Sequence, residues 1–326
     1  MVEAEDRKTL VPFNLSHILD QVPELKKLDV KLDSASFEKP IDSSDMQPKH
    51  WLQMARIIEE NYLKYDGFVI LHGSDTLAYS ASALSFMLDG MRKPVILTGS
   101  QLPIGMIRTD ARENLITAVE MAALTKNGEP VIQEVAIYFE YKLYRGNRTT
   151  KVSAEAFEAF SSPNYPLLAE AGVHIEVNYA RLFRPKSEQF DVHHNLDASV
   201  GVLTLFPGIS EEQLLAQIGT ENQRALVLQS FGSGNASQQP WFLEALKSAI
   251  DNGLIVLNIT QCMKGKVEQG KYATSQALLE MGVIGGSDLT LEAAITKLMV
   301  LLGHSDDPVW IKAHLNSNIR GEMSIA

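Results

Sequence analysis

Hydroxyls, carboxylates and cations gather in four short segments of the chain: Asp42-Ser43-Ser44-Asp45-Met46, His72 to Thr76, Thr98 to Gln101, and Arg145 to Lys151. A serine or threonine hydroxyl attacks a carbonyl, or activates a water, only when a neighbouring base takes its proton. Lysine can be that base where burial lowers its pKa. Ser74, Lys151 and either Asp75 or Asp45 therefore form a candidate relay. Each also has a plainer use. Ser, Asp and Thr are preferred helix N-caps, DSSDM reads equally as a turn closed by its own side chains, and most lysines are solvated.

The chemistry needs these segments to meet, and the pattern around them supplies a way. Leu52, Ala55, Ile58 and Tyr62 share one helical face, Phe68 to Leu71 is a short apolar run ending before Gly73, residues 78–88 read as a helix, and Val95 to Thr98 as a second strand. This βαβ rhythm predicts a parallel sheet. The turns after its strands then share one carboxyl edge, where open α/β folds keep their ligands, so at least two of the clusters become neighbours. A helix over 110–124 and a strand over 135–139 continue the rhythm. Between Arg184 and Asp197 the text RPKSEQFDVHHNLD is polar and without period, as in an exposed connection. The expected layout is an amino-terminal α/β domain over 1–185, a linker over 186–199 and a smaller α/β domain over 200–326. In the smaller domain VGVLTLFPG, RALVLQSFG and GLIVLNITQC are strand-then-turn units separated by helices over 211–218 and 239–252, with a closing helix over 290–302.

Composition narrows the function classes. A chain of 326 residues that is 45% hydrophobic can fill a core in each of two domains. Twenty-nine basic against 40 acidic residues, a net charge of -11 and no Lys/Arg-rich run argue against a nucleic-acid partner. One cysteine, Cys262, precludes an internal disulfide framework, and the opening MVEAEDRKTLVPF has no signal-peptide pattern, so a reducing cytoplasm is expected. No apolar run approaches the roughly 20 residues of a membrane span, so no membrane partner is expected.

In order and spacing across essentially the whole chain, DSSDM, GFVILHGSDTLAYSASALSFML, KPVILTGSQLP, YRGNRTTK, NITQCMKGKV and YATSQALLEMGVIGG resemble the bacterial type I, cytoplasmic L-asparaginases. Several independent motifs that agree outweigh one short match. The resemblance implies a two-domain asparaginase-like α/β fold whose larger amino-terminal domain has a mostly parallel sheet flanked by helices. It implies active sites built at a tight homodimer, often paired into a dimer of dimers. The implied activity is hydrolysis of L-asparagine to L-aspartate and ammonia through a threonine acyl-enzyme, with neither metal nor cofactor.

Residue by residue, Ser74, Asp75 and Lys151 match the hydroxyl, acid and lysine of the family's second catalytic motif. Ser74 stands where the family usually has threonine; the hydroxyl is kept, but the missing methyl frees χ1. Asp75 is also expected to hold the substrate's α-ammonium, and Ser43, with Asp42 and Ser44, its α-carboxylate, which orients the amide for attack. The primary nucleophile, a threonine in a strand-turn motif close to TGGTIG, would precede Met1. Met1 to Ala4 would then open a mobile loop, and Leu10 falls where an assisting tyrosine is expected. Thr9, in a polar segment with no glycine turn before it, is not expected to take over. Two explanations stand: a natural start further upstream, favoured because loss of a core strand exposes a sheet edge, or a remnant without its attacking group.

Some type I enzymes hold asparagine at a second, allosteric site through residues matching Thr150, Asn235 and Cys262 and through an arginine. Gln229 stands in the arginine's place and removes a bidentate carboxylate donor. Cys262 reads by default as a buried packing thiol. His193-His194 is an adjacent pair whose side chains diverge, which suits a solvated linker better than a metal site. Gly232-Ser233-Gly234-Asn235 lacks the spacing of a nucleotide loop. Two rival functions share the pattern: the ammonia-releasing component of an archaeal-type tRNA amidotransferase, whose extra amino-terminal module is not seen here, and a silent amino-acid sensor that keeps Ser43 and Asp75.

Overall fold

The computed structural model describes residues 2–3, 10–11, 20–270 and 273–325. The chain divides into two compact units, Met1–Val192 and His193–Ala326. That division falls within the expected linker, but the linker is not all loop: Asp191–Val192 pairs antiparallel with Leu88–Asp89, and Val192 is buried.

In the first unit α1 (Pro48–Asn61) buries Trp51, Met54, Ala55 and Ile58, one apolar face of an otherwise polar helix. It is followed by β1 (Phe68–Leu71), α2 (Leu77–Met87), β2 (Val95–Thr98), α3 (Ala111–Ala123) and β3 (Val135–Phe139). The three strands are parallel, with Ile70 opposite Leu97 and Leu97 opposite Ile137. Ile96, Ala136 and Tyr138 pack with Ala118 and Met121 of α3. Almost every residue of α2 is buried, so its serines need internal partners, and they have them: Ser85 donates to the Ala81 carbonyl and Ser80 joins Trp51 and His72.

The sheet extends beyond the parallel part in antiparallel fashion. β4 (Lys142–Arg145) returns through the two-residue turn Glu140-Tyr141, both at positive φ (46° and 63°), the geometry of a hairpin whose turn twists with its strands. A separate hairpin joins β5 (Thr150–Lys151) to β6 (Phe160–Ser161). β7 (Ala169–Ala171) and β8 (Ile175–Val177) complete the main sheet, whose order is β8-β7-β4-β3-β2-β1. Near the start of the chain Val2–Glu3 pairs antiparallel with Leu10–Val11. Met1, Ala4 and Thr9, named above for the expected loop and nucleophile, lie outside the described residues.

The second unit is a four-stranded parallel sheet, β9 (Val200–Thr204), β10 (Ala225–Ser230), β11 (Ile255–Thr260) and β12 (Ile284–Gly285), in sequence order. Its helices are α4 (Glu211–Ile218), α5 (Pro240–Asp251), α6 (Ala273–Glu280) and α7 (Leu291–His304). Leu226, Leu228, Phe242, Leu246 and Val256 form its core. The chain does not close on α7: a further helix, α8 (Pro308–Leu315), starts at Asp307, whose carboxylate accepts from the Val309 amide. Among the described residues no helix is long and apolar enough to cross a membrane.

Candidate active site

Strand register brings the His72–Thr76 and Thr98–Gln101 clusters together. The His72 amide donates to the Thr98 carbonyl (2.9 Å), so the turns that follow β1 and β2 run side by side. Both turns need glycine. A Cβ on Gly99 would lie 2.2 Å from the His72 carbonyl oxygen, and one on Gly73 would lie 2.5 Å from the Ser43 hydroxyl. The first obstacle is backbone and cannot swing aside; the second is a side chain. Gly99→Ala is expected to cost about 1–3 kcal/mol of stability, and more than Gly73→Ala; urea denaturation of both variants checks the order.

The relay residues meet at this edge. Lys151, on β5, donates from Nζ to Ser74 Oγ (2.9 Å) and to Asp75 Oδ1 (2.7 Å). Of the two acids left open by the sequence, Asp75 is the one in the ion pair. Lys151 is largely covered, with 18% of its side-chain surface exposed, whereas Asp75 is 63% exposed. Ser74 Oγ accepts from Lys151 and donates to Gln101 Oε1 (3.1 Å). The Gln101 amide donates in turn to the Ala156 carbonyl (3.0 Å), in the turn after Lys151.

The substrate clamp expected from DSSDM is a 3-10 turn, Ser43–Asp45, capped by Asp42. Asp42 Oδ1 accepts from both the amide and the hydroxyl of Ser44 (2.9 Å each). The Ser44 amide, and then its hydroxyl, hold the Asp42 carboxyl below the usual carboxylate range, with slight burial opposing them. Both Ser44 donors are thereby engaged. Ser43 is buried, and its carbonyl accepts from Thr76 Oγ1 (2.7 Å), so the clamp and the relay turn are tied directly.

A buttress behind the site was not legible as such. Asp110 accepts from the amides of Gln101 and Leu102, while Asn114 donates to the Gly99 carbonyl (3.0 Å) and accepts from the Glu140 amide (3.0 Å). Both side chains are buried, at the cap and in the first turn of α3. The signal was present in principle: Asp and Asn four apart at a helix start, just after a glycine turn, can reach loop amides.

The residues expected at an allosteric site are placed as follows. Thr150 is half-buried on β5, opposite Ser161. In the second unit Gln229 accepts from Thr204 Oγ1 (2.7 Å), and the Asn235 amide bonds back to the Phe231 carbonyl (2.8 Å). Cys262 corrects an expectation: it is exposed rather than buried, because it sits in the turn beyond the end of β11, its amide held by Thr260 Oγ1 (3.0 Å). His193 meets the edge of the His304 ring, and no cluster able to hold a metal is present among the described residues.

The chain as a whole is similar to known proteins over both units. The family model described as "Asparaginase, N-terminal" matches residues 1–183, and that described as "Glutaminase/Asparaginase C-terminal domain" matches residues 199–315. L-asparaginase 1 of Escherichia coli K12 is 47% identical over 288 residues, 87% of this chain and 82% of that protein. A glutamyl-tRNA(Gln) amidotransferase chain of Methanopyrus kandleri is 31% identical, over 95% of this chain and 69% of that protein. The crystal structure of L-asparaginase I from Vibrio cholerae aligns with a TM-score of 0.87 and 43% identity, covering 95% of this chain and 92% of that one. With both domains matched in order and nearly half the residues shared with a type I enzyme, this chain belongs to the asparaginase family, on its bacterial type I branch.

Proposed function

We propose that the protein hydrolyses the side-chain amide of L-asparagine, water entering as the C–N bond breaks and ammonia leaves, to give L-aspartate. The observation that carries this reading is the placement of Lys151 Nζ between Ser74 Oγ and Asp75 Oδ1, beside the buried Ser43. In this reading Asp75 receives the substrate's α-ammonium and the Ser43 turn its α-carboxylate. Asp42 acts through the Ser44 amide that it holds, since an ionised carboxylate would repel the substrate's own. Ser74 and Lys151 move the proton. Lys151 now donates to both neighbours, so to work as base it first gives a proton away, and the Ser74 hydroxyl turns from Gln101 towards it. The attacking hydroxyl implied by the family resemblance falls outside the described residues. We place the enzyme in the cytoplasm as a homodimer or a dimer of dimers, which sedimentation tests.

The direct test is ammonia release from L-asparagine by the purified protein. One ammonia per aspartate is expected. Tight binding of L-aspartate with no ammonia from asparagine would instead support the silent sensor. The amidotransferase reading is weaker, because identity to the amidotransferase chain is lower than identity to the asparaginases.

A further inference from the structure

His72 precedes the catalytic turn, and the proton relay has no use for it. Its ring is nevertheless wired. Trp51 Nε1 donates to Ser80 Oγ (2.8 Å), Ser80 Oγ lies 2.8 Å from His72 Nε2, and His72 Nδ1 lies 2.7 Å from the Gly73 carbonyl oxygen. For a neutral imidazole the donor inventory of these groups leaves one arrangement. Indole nitrogen only donates, so Ser80 accepts from it, and the single hydroxyl proton of Ser80 is free for His72 Nε2. A carbonyl only accepts, so the imidazole proton sits on Nδ1.

We infer that His72 is a positioning residue: the Gly73 carbonyl and the Ser80 hydroxyl, which Trp51 holds, fix it as the neutral Nδ1–H tautomer, and that tautomer holds the Gly73 carbonyl and with it the Gly73–Ser74 turn against Ser43. The consequence at the substrate rests on the amidohydrolase reading; the tautomer stands by itself. Holding the Gly73 carbonyl fixes the plane of the peptide that carries Ser74, because that peptide is trans. It also keeps Gly73 against the Ser43 hydroxyl, where no Cβ fits. One hydrogen-bonded chain thus runs from α1 to the Gly73–Ser74 turn, which packs against the Ser43 half of the site.

A second proton on the ring would have to go on Nε2, where the Ser80 hydroxyl already points. The ring meets Ser80 on α2 and the Gly73 carbonyl; Trp51 on α1 reaches that Ser80, Thr98 on β2 accepts from the His72 backbone amide, and Ser43 in the clamp turn lies against Gly73. The ionisable groups of these elements are Lys49, His50, Arg56, Glu59 and Glu60 on α1, with His50 Nδ1 accepting from the Gln47 amide, Tyr79 on α2, Asp42 and Asp45 at the clamp, and Asp75, paired with Lys151. Burial, first, pushes the His72 imidazole down from its ordinary range, with the Gly73 carbonyl opposing it. The sign follows. Below about pH 6.5 the unfolded chain takes a proton on this ring that the folded chain refuses, so the fold loses stability as the pH falls through that window.

The test is ¹⁵N and ¹³C NMR of His72 in the whole protein, with L-aspartate binding measured alongside. Wild type should show the Nδ1–H form, and aspartate affinity should fall on the acid side with the same midpoint as the His72 titration. In Trp51→Phe the Ser80 hydroxyl loses its fixed direction, so Nε2 opens to a second proton and the imidazole should protonate at a higher pH than in wild type, while the Gly73 carbonyl keeps the proton on Nδ1. Ser80→Ala removes the donor to Nε2, which should raise the same midpoint and weaken aspartate binding about tenfold, the equivalent of one lost buried hydrogen bond. A wild-type Nε2–H tautomer, or a His72 titration unchanged in both variants, overturns the inference whatever the activity. If instead the tautomer and the titration behave as stated but wild type neither binds aspartate nor hydrolyses asparagine, the amidohydrolase reading fails alone. Aspartate binding that ignores both variants while the titration shifts would remove the positioning role.

Discussion

Replacing Lys151 by methionine should lower kcat for L-asparagine by about 10²–10⁴-fold, the usual worth of a positioned acid–base group. Methionine keeps roughly the length and volume of the side chain and removes the ammonium that now bridges Ser74 and Asp75. Folding should barely notice. Asp75 is 63% exposed, so water screens the carboxylate that loses its partner, and an ion pair of that kind is worth at most about 1 kcal/mol. The informative result is therefore a ratio: a large loss of turnover with a small shift of the urea midpoint. Turnover at the wild-type rate would remove Lys151 from the relay, and equal collapse of activity and stability would make its role structural.

The second large effect lies in the other unit, in the core under α7. Lys297 and Glu322 form an ion pair at 2.6 Å with neither side chain exposed. Lys297 also donates to the carbonyls of Ser317 (2.6 Å) and Leu315 (3.3 Å), and Glu322 accepts from the amides of Ile319 and Arg320. Burial, the leading influence, pulls the Lys297 ammonium below its ordinary range, with Glu322 opposing it. Lys297→Met leaves a carboxylate without a counter-charge and two carbonyls without their donor. It should cost about 3–5 kcal/mol, read as a drop in chemical-denaturation stability. The double variant Lys297→Met, Glu322→Gln should recover much of that loss. Glutamine still accepts from Ile319 and Arg320, its amide can donate to the stranded carbonyls, and no buried charge remains. A double variant as unstable as the single one would show that the carbonyls, not the charge, dominate.

The parts of the fold that were legible in the sequence are those where a single pattern governs. β2 and β3 are short runs buried throughout, and β1, half-buried at the edge of the sheet, carries the same unbroken apolar run, which is what strands of a parallel sheet require. The antiparallel half was not legible, because β4 reads Lys-Leu-Tyr-Arg and β5 and β6 have two residues each. Runs that short carry no periodicity. α8 was missed although Asp307 and Pro308 announce it, since a proline soon after the long α7 reads as readily as a stop as it does as a start. Lys151 shows the limit most clearly. Nothing in its neighbours along the chain ties it to Ser74, 77 positions away; only the family resemblance did. The bridging role of Gln101 had no signal at all, because one amide joins elements 27 and 55 residues distant.

The two-residue strand that carries Lys151 has one more consequence. Its strand pairing joins Thr150 with Ser161 and Lys151 with Phe160, the Val152 amide adds one bond to the Ala159 carbonyl (2.7 Å), and the buried Phe160 ring, 4.9 Å from that of Phe139, anchors the hairpin. A hairpin this short opens by itself at a free energy well below that of the whole domain. Amide protons at β5 and β6 should therefore exchange with solvent earlier than those of β2 and β3. An enzyme whose base sits on such an element dies in two stages on heating: it falls silent while still folded, and recovers on cooling, before the sheet behind it gives way.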